Sequence, residues 1–196
     1  MLAEFKIIND PLRPSVCTNL CVVCYRNNAH SKKIGCCSYE PEFCLFDLVF
    51  LYLHYPEIYK YVLKKGRIIK GYNGTMVEMK TGLNQCPFIS DTGCVLPRDA
   101  MTPLCRLYIC REAAIFGPAI IQERFDEYFS SKEYNLNIFL NSKFIYDTSL
   151  TSSGLNNYIM ELTPTISAML DEINRINPPI NTFYKEINIM DFGKLS

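Results

Sequence analysis

Histidine is nearly missing from this 196-residue chain, which has only His30 and His54. A hydrolase triad built on serine and histidine therefore has no support. His30 lies in a polar stretch read as an exposed loop, and His54 at a helix end is read as structural. A phosphate-cradling glycine loop is also missing, because Gly71-Tyr72-Asn73-Gly74 lacks the lysine and helix that would have to follow it. The longest apolar run, Phe43 to Leu53, is too short to span a bilayer and is interrupted by Asp47. The first ten residues carry acids and no long apolar stretch, which argues against a secretory signal. Excess charge of one sign is absent as well: Lys+Arg and Asp+Glu are both 20. Residues 1–37 carry five basic and two acidic side chains, and residues 111–196 carry seven and eleven. Neither is the electrostatic footprint of a strong nucleic-acid binder. The expectation is a cytoplasmic protein with no membrane partner and no nucleic-acid partner. No internal repeat is visible. Finally, no cysteine follows Cys110.

What is present is cysteine, ten of them, all before residue 111. Hydrophobic residues make up 48% of the chain, so it can bury a core without disulfides as a substitute. In a reducing compartment, ten cysteines favour metal binding or redox chemistry. They fall into two groups. The first holds Cys17, Cys21, Cys24 and the adjacent pair Cys36-Cys37. The second holds Cys86, Cys94, Cys105 and Cys110. Cys44 stands apart on an apolar run and is expected to pack there. Thiolates are soft ligands that select zinc, copper(I) or iron–sulfur clusters. The Cys21-x-x-Cys24 spacing lets a tight turn aim two sulfurs at one ion. One such pair is weak evidence, and two groups rejoined by a hairpin are stronger. Adjacent cysteines strain a single small site, so Cys36-Cys37 suits two metals or two corners of a cluster. The two groups are expected to meet in space.

The periodicity predicts a mainly α fold with a small β-hairpin, its irregular cysteine-rich metal-binding loops packed on a helical core. Residues 1–37 read as an extended arm and loops. Ser38 reads as the cap of a helix over 40–54 that is apolar on nearly every side. Pro56 starts a second helix that Gly66 ends. Residues 67–80 read as a hairpin, the only clear sheet, which brings the second cysteine group back over the first. A helix through Cys105 and Cys110 lies within 98–116, and Gly117-Pro118 breaks it. Residues 135–146 are ambiguous between helix and strand. After a polar loop at 148–154, a helix from Leu155 stops at Thr163-Pro164, where another begins and runs to Asn177-Pro178-Pro179. The last residues read as an irregular tail. Residues 1–146 are taken as the cysteine-cluster domain, and 147–196 as a helical extension packed on it.

Cys86-Pro87-Phe88, Gly93-Cys94 and Pro103-Leu104-Cys105-Arg106-Leu107-Tyr108 resemble the later half of a known signature. It belongs to the YkgJ-type cysteine-cluster family, which chelates zinc or iron. The family's earlier half is a Cys-x-x-Cys-x-x-Cys-Cys run. Here eleven residues separate Cys24 from Cys36-Cys37, where the family has two. The resemblance covers about residues 17–110. It implies Cys21, Cys24, Cys36, Cys37, Cys86, Cys94 and Cys105 as ligands, with Cys17 or Cys110 completing the set. It also implies a place for Arg106 beside the thiolates, offsetting their charge, against the plainer reading of a surface ion pair. The leading expectation is a metal-binding protein, zinc or iron–sulfur, with no established catalytic activity. One alternative is an iron–sulfur-dependent enzyme resembling flagellin lysine N-methylases, though the chain is short for that. Another is a zinc-stabilised adaptor for a protein partner. A thiol redox module lacks its βαβ context.

Overall fold

Seven consecutive residues, Leu45 to Leu51, are buried at the start of helix α1 (Leu45–His54), and they set the position of everything around them. The computed structural model describes residues 1–10, 12–20, 40–71, 74–79, 86–90, 93–107, 117, 127–144, 150–173 and 180–186. Helix α2 (Pro56–Lys65) follows at once, with Pro56 in its first turn and Lys64 and Lys65 in its last, both at their favoured ends. After the short α3 (Pro103–Leu107) come α4 (Lys132–Lys143) and α5 (Ser152–Ile173). Both α4 and α5 pack against α1. The Tyr158 hydroxyl donates to the Leu140 carbonyl at 2.9 Å and joins α5 to α4. The Tyr59 hydroxyl donates to Asn156 at 3.0 Å and joins α2 to α5.

The expectation of a mainly α fold with one hairpin is corrected: the fold is mixed α/β, with three small antiparallel sheets among the described residues. The expected hairpin is present as β4 (Arg67–Gly71) and β5 (Gly74–Glu78). Gly74 turns it at φ +96°, and a Cβ there would collide with the Asn141 side chain. The hairpin is not alone, because β3 (Glu42–Cys44) pairs with the other edge of β5. Helix α1 accordingly begins at Leu45, not near residue 40. Asp47 Oδ2 accepts from the Cys44 backbone N–H at 3.0 Å and supplies the cap. Asn137 of α4 accepts from Phe46 N–H at 3.4 Å. Ser38, the expected cap, lies outside the described residues.

The expected N-terminal arm is instead a sheet of order β2–β1–β8, with β1 Leu2–Ile8, β2 Ser15–Thr18 and β8 Ile180–Glu186. Ala3, Phe5 and Ile7 alternate inward along β1, the period of a half-buried strand. Strand β8 lies where the irregular tail was expected to begin and pairs with β1 along its whole length, and residues 187–196 lie outside the described residues. A third sheet holds β6 (Ile89–Ser90) and β7 (Gly93–Cys94).

Two ambiguous or mistaken helix readings are resolved. Residues 132–143 are helical, capped by Ser131, whose Oγ accepts from Tyr134 N–H at 3.1 Å. The expected break at Thr163-Pro164 does not occur, and α5 runs through it. Pro164 has no N–H for the Met160 carbonyl, but Met160 is exposed and water can serve it. The Thr163 hydroxyl bonds the Ile159 carbonyl at 2.7 Å and caps nothing. Of the expected helix through Cys105 and Cys110, Cys105 lies in α3 after a single turn at Arg98–Ala100, and residues 108–116 lie outside the described residues.

Candidate metal centre

Four of the candidate ligands are described. Cys17 lies on β2 opposite Lys6, half-buried, its thiol 3.9 Å from the Lys6 carbonyl oxygen. Cys86 precedes the turn into β6, and its carbonyl accepts from Ile89 N–H at 3.2 Å. Cys94 is exposed on β7 opposite Ile89. Cys105 lies in the middle of α3. Cys86 and Cys105 are half-buried against the main core. Cys21, Cys24, Cys36, Cys37 and Cys110, as well as His30, lie outside the described residues. Among the described residues, no three histidine, cysteine or carboxylate side chains converge as metal ligands. Cys17, Cys86, Cys94 and Cys105 therefore do not make a centre with one another or with the described carboxylates.

Cys44 is buried at the junction of β3 and α1, as its apolar setting implied. Burial, then the nearby carboxylates of Asp47 and Glu133, pushes its thiol well above the usual range. It is a neutral core thiol. His54 ends α1 with its ring 4.5 Å from that of Phe50.

The segments that carry Cys17 and Cys105 are neighbours, since β2 packs on α3. A buried charge cluster joins them. Asp10 Oδ1 accepts from the backbone N–H of Leu12 and Arg13, at 2.8 and 2.7 Å, and turns the chain between β1 and β2. That turn sends Arg13 inward, where its guanidinium lies 4.3 Å from the Phe50 ring centroid. Its Nη2 donates to Asp47 Oδ1 and to the Met101 carbonyl, both at 2.9 Å. Arg106, next to Cys105, is 0% exposed. Its Nη2 donates to both carboxylate oxygens of Glu133, its Nε to the Met101 carbonyl at 3.0 Å, and its Nη1 to the Pro14 carbonyl. Arg13 Nη1 completes the cluster 3.3 Å from Glu133. Two guanidiniums thus face two carboxylates, the neutral balance a buried ionic group requires. Burial pushes the Glu133 carboxyl up, against the pull of Arg106 and Arg13. The same desolvation works on Arg13, yet Glu133 and Asp47 outweigh it and hold its pKa above the ordinary value.

The plainer expectation for Arg106 is corrected. It is not a surface ion pair, and its three nitrogens are engaged by Glu133 and two backbone carbonyls, not by thiolates. Arg13, Asp47 and Glu133 were not singled out from the sequence. Asp47 in the middle of an apolar run was the available signal, since a carboxylate buried there requires a cationic partner.

Comparison with known protein families, curated protein sequences and solved structures finds no match to this chain.

Proposed function

We propose that the chain binds a metal through cysteine thiolates, as zinc or an iron–sulfur cluster. Its candidate ligands are Cys17, Cys21, Cys24, Cys36, Cys37, Cys86, Cys94, Cys105 and Cys110. One observation carries this reading: Arg106, beside Cys105, holds the Pro14 carbonyl three residues before Cys17. The entry to the first cysteine group is thereby tethered to the second group, as a shared centre requires. The soft-ligand chemistry of clustered thiolates adds to it, and the neutral, core-bound Cys44 marks the contrast. When bound, the metal supplies local structure, and iron–sulfur would add electron transfer.

The test is anaerobic purification with an absorption spectrum, metal analysis and acid-labile sulfide. Brown protein with iron and sulfide identifies a cluster and favours the enzymatic alternative. Colourless protein with zinc favours a structural or adaptor role. Substoichiometric metal of every kind, in protein that remains folded, contradicts the proposal.

A further inference from the structure

The edge of a sheet presents a row of unpaired backbone groups, and the other longer edges among the described strands are blunted. Strand β3 has three residues, β2 has four and packs on α3, and β4 carries exposed Arg67 and Lys70. Strand β8 is different. It is seven residues long and holds neither proline nor glycine. Its two charges, Lys185 and Glu186, cancel and sit at one end. All seven residues are exposed, so neither face of β8 rests on the core, although Ala3, Phe5 and Ile7 of the neighbouring β1 are buried. The direction of its backbone groups follows from β1. The Glu4 N–H and carbonyl both bond Asn19, on the β2 side. Successive residues of an antiparallel ladder aim to opposite sides, so Ala3, Phe5 and Ile7 aim at β8 and pair with Lys185, Phe183 and Asn181. Ile180, Thr182, Tyr184 and Glu186 therefore direct their backbone groups away from β1, to an edge where no described strand lies.

We propose that this edge pairs with β8 of a second copy of the chain, antiparallel, about a two-fold axis at Phe183. That register sets Thr182 opposite Tyr184 and Ile180 opposite Glu186, so the outward residues of each copy exchange backbone bonds. It is the one symmetric register that overlaps all seven residues of β8. Like charges never oppose in it: Lys185 faces Asn181, and Glu186 faces Ile180. At the axis the two Phe183 side chains form a close aromatic pair on the face that the core leaves uncovered. Two three-stranded sheets become one sheet of order β2–β1–β8–β8–β1–β2, and the same patch on both copies closes the dimer. A strand that complements itself in length, charge and bonding direction selects its own copy as partner. The proposal does not depend on the thiolate centre.

Sedimentation velocity of the full chain, as purified and with reductant present, from about 1 to 100 µM tests it. The expected result is a reversible monomer–dimer equilibrium within that range. Thr182→Pro removes an outward N–H and no bond to β1, and should weaken the dimer by about tenfold or more with the circular dichroism of the monomer unchanged. Phe183→Cys, oxidised in air, should give a covalent dimer whose peptide map shows a disulfide between the two copies at position 183, because the Cα atoms of such a pair lie about 4.5 Å apart. Lys185→Cys should give no disulfide between the copies at position 185. Monomer throughout the range, a dimer that Thr182→Pro leaves unchanged, or a crosslink at 185 as strong as at 183 overturns the proposal. Slow exchange of the Thr182 and Tyr184 amides in dilute, monomeric protein overturns it too, because another segment of the chain then covers the edge.

Discussion

Cys44 and Cys105 are the same side chain in opposite settings. Cys44 closes a three-residue strand onto a ten-residue helix whose first seven residues are all buried. Every backbone group there has regular structure to enter, and the order follows from burial. Cys86 lies in the turn before β6, Cys94 on β7, each of these strands two residues long, and Cys105 half-buried in α3. A pairing that short is marginal in water. Phe88 and Leu96 reach the core from this region. Arg98 bonds the Arg106 carbonyl at 2.8 Å, and Arg106 bonds Pro14 and Glu133. The contrast teaches that the cysteine-bearing region borrows its order from a few long-range anchors. On the proposed reading, it borrows from a metal as well.

The largest expected effect comes from cutting an anchor. Arg106→Met leaves Glu133 buried with less charge to face it and strips a donor from two backbone carbonyls. Loss of one partner in a buried pair costs about 3–5 kcal/mol, read as a fall in the urea midpoint. The double variant Arg106→Met with Glu133→Leu should recover much of that, since Arg13 keeps Asp47. A double variant as unstable as the single one would show that the carbonyl contacts, not the charge pair, hold this region.

Exchanging the two cysteines sharpens the contrast. Cys44→Ala removes a buried sulfur and should cost about 1 kcal/mol with metal content per chain unchanged. Cys105→Ala should lower metal content. Equal metal in both variants would place Cys105 with Cys44 as a core filler.

The smallest effect lies at the far end of α1. Burial, with help from the hydrogen bond to Asp99, raises the Tyr55 phenol to about 12. The folded state then holds this proton more tightly than the unfolded chain, whose phenol titrates near ~10. Its contribution to stability is complete below pH 10 and is lost as pH rises from there to about 12. Tyr55→Phe should flatten that part of the stability profile. An unchanged slope would show that Tyr55 is not its source.

The core was legible because its signals are local. A run from Phe43 to Leu53 that is apolar on nearly every side can only be buried, and Pro56, Gly66 and the glycines of the 67–80 hairpin mark their own elements. The outer sheet was not read, although Ala3, Phe5 and Ile7 alternate as a strand does. Its partner β8 is exposed throughout and lies some 180 residues away, so nothing nearby in sequence announces the pairing. The Thr163-Pro164 pair looks like a helix boundary, but α5 runs through it where Met160, four residues before the proline, is exposed. The candidate ligands were named from their grouping together with the family resemblance. The pairing of Arg106 with Glu133 could not be read in that way, because complementary charges 27 residues apart leave no periodic trace.

Hydrogen exchange on metal-loaded and chelated protein tests the difference between the two regions most directly. The account predicts that chelation strips protection from residues 17–37 and 84–110 first, while residues 43–53 and 164–176 keep theirs. Equal protection of the two cysteine segments in both states would contradict it and reduce the clustered thiols to core packing.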